Sequence, residues 1–294
     1  MSLEHLNASP KLPVRTVVIG AHGFVGGAVA RLVAERGGAI LSLSRKDIDL
    51  LAPDATARLA ALLKPGDAVV AAVARAPCKD LSMLIDNMKM VKTMLDAMSG
   101  IDLSHVVNIS SDAVYADEPL PLTETSPTAP TAMHGVMHLA RELAFADAIK
   151  APLATLRPTL IYGARDPHNG YGPNRFRRLA NAGEEIVLFG EGEERRDHVL
   201  VDDVAELAVQ VLSHRSRGIL NIATGAVHSF RSVAEQVVAA APKKVPISGR
   251  PRSGPMPHNG YRAFDPASVA MAFPGFRFTE LAKGIARAQA EEGR

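Results

Sequence analysis

The chain has a single cysteine, no strong excess of either charge, no long apolar run and no internal repeat. Each absence excludes something. Cys78 alone cannot form an intrachain disulfide or a cysteine-based zinc cluster. Lys and Arg number 33 against 31 Asp and Glu, a net charge of +2, so nothing in the balance points to nucleic acid as a general partner. No stretch approaches the roughly 18 consecutive apolar residues of a membrane span. The opening segment MSLEHLNASPKLP carries Glu4, His5 and Lys11 in place of an apolar signal core. The expectation is a soluble cytoplasmic protein. What is present is ordinary globular composition, 47% hydrophobic and 22% charged, which argues against disorder, and 294 residues allow one or two domains.

Short β-branched runs alternate with helical patterns through the first half. The run Arg15-Thr16-Val17-Val18-Ile19-Gly20 leads through glycines into a helix from Ala28 to Arg36, and Ala39–Ser44, Asp67–Ala72, His105–Ile109 and Leu153–Arg157 read as further buried strands. Between them, 54–63, 81–98 and 134–149 read as helices. Strands alternating with helices predict an α/β fold, a doubly wound parallel sheet of the Rossmann type. After Tyr162-Gly163 the pattern changes, with a Pro- and Gly-bearing loop over 164–175, helices over 175–182 and 202–213, and strands at 185–189 and 218–222. The expected division is a dinucleotide-binding domain over 14–162, its sheet completed by about 195–224, and a smaller C-terminal substrate lobe from 163–194 and 225–294.

Gly20, Gly23 and Gly26 stand three apart between the first strand and the first helix. The first permits a tight turn, the second lets a pyrophosphate approach the backbone, and the third lets helix and sheet pack closely, while the helix N-terminus offers N–H groups to phosphate. In the first βα unit of an alternating chain this predicts dinucleotide binding. An acidic residue at the end of the second strand would hold the adenosine ribose; an arginine accepts a 2′-phosphate. Ser44-Arg45-Lys46 stands there, so the expected cofactor is NADP, with NAD as the alternative.

Followed by Ile109-Ser110-Ser111-Asp112-Ala113-Val114-Tyr115, the glycine pattern resembles the extended short-chain dehydrogenase/reductase family, the NAD(P)-dependent nucleotide-sugar epimerases and dehydratases. Asp49-Leu50, Asn87, Leu156-Arg157-Pro158 with Tyr162-Gly163, Arg196–Ala205 and Asn221–Gly225 extend the likeness from about residue 14 to beyond 270. The resemblance implies hydride transfer, a homodimer paired through the 81–98 and 134–149 helices, and a cofactor site that includes His22, Phe24, Val25, Asp49, Leu50, Ala72, Asn87 and Pro158 beside the glycines, Ser44 and Arg45. It also implies a serine, a tyrosine and a lysine at the chemistry. Ser111 fits the serine.

The tyrosine and lysine positions fall in Pro130–Glu142, and both are histidine: His134 and His138. An imidazole titrates near 6.5 and needs no lysine to act as a base, whereas a phenol titrates near 10. His134 is therefore the expected acid/base, and His138 the expected ribose contact. A metal reading, in which His134, His138 and Glu142 share a helix face, ranks last because three ligands along a straight helix converge poorly on one ion. In the substrate lobe the resemblance maps a diphosphate-binding arginine to Arg196, with Arg252 as a second contact. Asp112 and Asn174 are further expected substrate contacts, and His168 and Asn169 weaker ones. Leu160 replaces a family asparagine, and Ala113 an acidic residue usual in dehydratases, so epimerisation or reduction is favoured over dehydration. The competing reading is an inactive or altered homologue that binds dinucleotide as a regulator.

Overall fold

The computed structural model describes residues 3–118 and 121–292. Residues 119 and 120, within the expected first domain, and 293 and 294, at the end of the expected substrate lobe, lie outside the described residues. A six-stranded parallel sheet forms the centre, built from β1 (Thr16–Ile19), β2 (Ile40–Leu43), β3 (Ala68–Ala71), β4 (His105–Ile109), β5 (Leu153–Pro158) and, later in the chain, β9 (Gly218–Ile222), in the order β2-β1-β3-β4-β5-β9. β1 and β3 are buried throughout because both sheet faces are covered there, while β4, β5 and β9 also carry buried polar residues such as Asn108, Arg157 and Asn221. Successive residues point to opposite layers. Val17 and Ile19 join Val69, Val106, Leu59, Met94 and Phe145 in one core. Val18 joins Val70, Val107, Val29, Leu207 and Val211 in the other. The first layer is supplied by α2 (Ala55–Leu62), α3 (Leu81–Met98) and α4 (Met133–Ala148), and the second by α1 (Phe24–Glu35) and α6 (Val201–Ser213). The fold is the doubly wound α/β architecture expected.

A smaller set of elements sits beyond the carboxyl ends of these strands. There β8 (Arg195–Leu200) pairs with β6 (Leu160–Tyr162), β10 (Val227–Ser229) and β12 (Tyr261–Arg262), and β7 (Ile186–Phe189) pairs with β11 (Ile247–Arg250). A third core, including Tyr162, Phe176, Leu188, Phe230, Val237 and Ile285, joins them to α5 (Pro173–Ala182), α7 (Phe230–Ala240) and α9 (Leu281–Glu292).

One expectation is corrected here. Of the segment 195–224, only β9 enters the central sheet; β8 does not. The reason is its polarity. Arg196 and Asp197 are buried, and each needs a partner for its charge. On the small sheet Arg196 meets Glu194, and the Asp197 carboxylate accepts from Thr159 Oγ1, from the Thr224 hydroxyl and from the Gly225 N–H at 2.7–3.1 Å. Among the described residues no helix is long and apolar enough to cross a membrane.

Candidate active site

The strand order reverses between β2-β1 and β3-β4, and a crevice opens there at the strand ends. Gly20 ends β1 with φ +94°, a conformation costly for any residue with a Cβ. A Cβ on it would lie 2.9 Å from the Ala72 carbonyl. A Cβ on Gly26 would collide with the Gly20 oxygen and lie 3.2 Å from the Ala72 Cβ. Helix α1 begins after Gly23 with no side-chain cap, and Gly23, Phe24 and Val25 line the main cleft. Uncapped N–H groups at a helix start carry partial positive charge. This bare backbone cradle fits a dinucleotide pyrophosphate.

A cavity of about 240 Å³ adjoins the turn and is lined by Gly20, Ser44, Arg45, Asp49, Leu50 and Met90 among others. At its rim the Asp47 carboxylate accepts from the Ser44 hydroxyl (2.7 Å) and amide (2.8 Å), which hold it below the usual carboxylate range. Arg45 reaches Asp49 at 3.2 Å with its side chain 83% exposed. Asn87 lines neither cavity. It braces the loop after β3, accepting from Arg75 N–H (2.9 Å) and donating to the Arg75 and Met83 carbonyls (3.1 and 2.8 Å). His22 is exposed and outside both cavities.

The main cleft, about 530 Å³, gathers Ala72, Ser111, Asp112, His134, His138, Pro158, His168, Asn174 and Arg196 around the glycine turn. Both histidines project from the first two turns of α4, whose Gly135 is required: a Cβ there would strike the Ala113 carbonyl oxygen. The two imidazoles meet edge to face with centroids 4.7 Å apart. His134 Nδ1 accepts a long hydrogen bond from the Cys78 amide (3.4 Å), and His138 is 6% exposed with its Nδ1 buried and unpartnered. Burial lowers the pKa of both rings; Asp112 partly offsets this at His134, and His134 and Arg141 reinforce it at His138. Both are therefore neutral at pH 7. Ser111 Oγ accepts from the Ala113 N–H (3.2 Å) and donates to Asp112 Oδ1 (3.3 Å), capping the 3-10 turn over Asp112–Val114.

Behind the pair, Glu142 is fully engaged. Arg157 Nε and Nη2 donate to its two oxygens (2.9 and 2.5 Å), Ser110 Oγ donates to Oε1, and Arg157 Nη1 reaches the Tyr115 hydroxyl at 2.7 Å. Glu142 thus serves a buried ion pair and is not free to join the histidines.

The substrate side is built differently from the sequence expectation. Arg196 lines the cleft, but Arg252 does not; both hold the buried Glu194, at 2.7 and 3.1 Å. Asn174 lines the cleft with its amide already occupied, accepting from Gly163 N–H (3.0 Å) and donating to the Ile161 carbonyl (3.3 Å). Asn169 takes φ +51° in a loop whose amides, with that of His168, bond to Asp166. Sequence reasoning passed over four side chains in this region. Arg262, 3% exposed, donates to Asp112 Oδ2 (3.2 Å) and Asp117 Oδ1 (2.8 Å), tying β12 to the serine turn. His198 is driven to about 3 by burial and packs edge-on against Phe230. His258 and Arg141 complete the cleft lining. Only Arg141 carried a sequence signal, a cation three residues past His138 on the same buried helix face.

A model of the NAD dependent epimerase/dehydratase family matches residues 16–223. The chain belongs to that family. Solved structures of similar fold include UDP-glucose 4-epimerase from Thermus thermophilus in complex with NAD, 23% identical with a TM-score of 0.83 over 95% of this chain and 99% of that one. The GDP-L-fucose synthetase of Naegleria fowleri bound to NADP is 18% identical, with a TM-score of 0.82 over 97% of this chain and 96% of that one. The UDP-N-acetylglucosamine 4-epimerase of Bacillus cereus is 23% identical, with a TM-score of 0.77 over 95% and 99%. At these identities the likeness establishes the fold.

Proposed function

We propose that this epimerase-family chain transfers hydride between a nicotinamide dinucleotide and a nucleotide-sugar or related carbonyl or hydroxyl compound, with His134 as the acid/base. The observation that carries the reading is the grouping of Ser111, His134 and His138 in one cleft with the glycine cradle. The similar structures that bind NAD or NADP, and whose names specify nucleotide-sugars, support it. A bound dinucleotide would supply or take the hydride. Gly20, Gly23 and Gly26 admit its pyrophosphate, Ser44, Arg45, Asp49 and Leu50 border its adenosine end, and Ser111 and His134 face the reacting oxygen. His134 Nε2 makes no hydrogen bond among the described residues, so it is the ring atom open to substrate. The domain division proposed is 14–162, completed within about 195–224 by α6 and β9, for dinucleotide, and 163–194 with 225–294 for substrate. Incubation with deuterium-labelled reduced dinucleotide and a panel of nucleotide-sugars tests the reading: label entering a sugar, or interconversion of epimers, supports it, and neither reaction with any member opposes it.

NADP is the proposed cofactor because Arg45 stands at the cavity rim, where the adenosine 2′-phosphate would lie. Arg45→Ala is expected to weaken NADPH by about 1–2 kcal/mol, the low end for a charge-assisted bond at an exposed site, and leave NADH unchanged. Equal losses for both in calorimetry would remove the assignment.

A homodimer is proposed through α3 and α4. Leu81, Ile85, Met133, Val136 and Leu143 are exposed on these two packed helices, with Leu81 and Leu143 at 60% and 63%. Large apolar side chains exposed on a pair of packed helices favour isologous pairing. Light scattering at micromolar concentration should give twice the 31.2 kDa of one chain; a monomer would reject the pairing.

A further inference from the structure

Arg141 lies one turn beyond His138 on α4 and is 2% exposed. Its guanidinium makes three short hydrogen bonds, all to neutral acceptors: Asn108 Oδ1 (2.6 Å), the Val73 carbonyl (2.5 Å) and the Ala71 carbonyl (2.6 Å). Among the described residues no carboxylate pairs with it. Other buried arginines around the cleft are neutralised: Arg157 by Glu142, Arg196 by Glu194 and Arg262 by Asp112. The neighbouring Glu142 is spent on Arg157 and Ser110. Burial draws the Arg141 pKa down only to about 10, so the group stays cationic at neutral pH. A buried charge without a counter-charge is costly and persists where the surrounding site uses it.

The charge is set at the cleft floor. Its acceptors sit on β4 and at the end of β3, and Arg141 itself lines the cleft beside Ala72, Val73, Ser110 and His138. The other ionisable groups lining the cleft are Asp112 from the serine turn, His168 and Asp166 from the covering loop, with Asp166 3.8 Å from Arg178, and Arg196, His198 and His258 from the substrate lobe. Asp112 is already paired with Arg262. The net field at the histidine end is therefore positive. An oxidised nicotinamide ring carries a positive charge and the reduced ring carries none, so a fixed cation nearby disfavours the oxidised form alone.

We propose that the Arg141 charge biases the cleft toward the reduced dinucleotide, so that the chain is built to deliver hydride to the carbonyl carbon of a substrate, whose oxygen takes its proton from the protonated form of His134, leaving the oxidised dinucleotide and a hydroxyl. The inference rests on the dinucleotide reading above and adds the direction of the reaction to it.

Dissociation constants for NADPH and NADP+, and for NADH and NAD+, measured by calorimetry on the full chain, test the bias. The wild type should hold the reduced form about tenfold more tightly than the oxidised form, the scale of one charge interaction across several ångströms. Arg141→Gln, which retains hydrogen-bond donors but loses the charge, should bring the ratio close to one; Arg141→Lys, which keeps the charge, should preserve it. A purely structural role would change stability and weaken both forms alike without moving the ratio. A wild-type ratio of one, or a preference for the oxidised form, overturns the proposal even if Arg141→Gln does not fold, and an unchanged ratio in a folded Arg141→Gln overturns it too. Absence of binding by any of the four dinucleotides defeats the dinucleotide reading itself, and the proposal with it.

Discussion

His134→Phe should lower kcat by about 10²–10⁴-fold, the usual contribution of a positioned acid/base, while leaving the dinucleotide dissociation constant nearly unchanged. The ring volume and its edge-to-face contact with His138 are retained by phenylalanine; only the proton-carrying nitrogens are lost. The pH dependence has a definite sign. In the direction that accepts a hydroxyl proton, the neutral imidazole is the active form. Burial holds the His134 pKa below the ordinary 6.5, despite the opposing Asp112. Activity in that direction should therefore be complete at neutral pH and be lost as pH falls through a value below 6.5. This limb lies lower than the free imidazole value used in reading the sequence, because the sequence does not report that the ring is buried. His138→Ala should instead weaken dinucleotide binding, since His138 lies deeper and is the proposed ribose contact. Full turnover in His134→Phe, or a profile with no acid limb, would remove His134 from the chemistry. If the double variant His134→Tyr with His138→Lys gains a hydride transfer that the wild type lacks, the natural chain is a binder rather than an enzyme.

Glu142→Leu should destabilise the fold by about 3–5 kcal/mol, the cost of leaving the partner of a buried ion pair uncompensated. The pair joins α4 to β5 with both residues almost fully enclosed, and the network continues from Arg157 through the Tyr115 hydroxyl to Asn221 Oδ1 on β9 at 2.7 Å. Its loss strands the Arg157 charge and the Ser110 hydroxyl together. Adding Arg157→Met to Glu142→Leu should recover much of the loss, because the stranded charge is removed; the difference is a coupling free energy. Urea unfolding followed by circular dichroism measures both. A single-variant loss below about 1 kcal/mol, or strict additivity, would show that the pair is not coupled as the geometry indicates.

The central sheet was legible because most of its strands are buried on both faces, so that apolar runs such as Val17-Val18-Ile19 and Ala68–Ala71 stand out. Its helices also fell within a few residues of expectation, apart from α1, which starts at Phe24, four residues before the expected Ala28. The glycine turn was legible for a related reason: Gly20 and Gly26 are sites where a Cβ has no room. The two- and three-residue strands β6, β10 and β12 were not, since so short a run has no periodicity to read. The apolar Val199-Leu200 end of β8 reads like another sheet strand, while the ion pair of Arg196 and the hydrogen bonds of Asp197 hold it on the small sheet. In the site, the family resemblance singled out His134 and His138 through their register with Gly135, Leu139 and Glu142. It did not expose Arg262, which reaches the serine turn from 150 residues away in the chain. Nor could it show that Arg252 and Arg196 share one carboxylate, because that depends on how β8 and the segment after β11 meet.

Native mass spectrometry of the full chain with NADPH or NADH added tests the central claim most directly. The account predicts one nicotinamide dinucleotide bound per chain, either carried through purification or taken up on addition, and lost in Gly20→Val, where a side chain would press on the Ala72 carbonyl. A chain that shows no mass shift with either dinucleotide would contradict it.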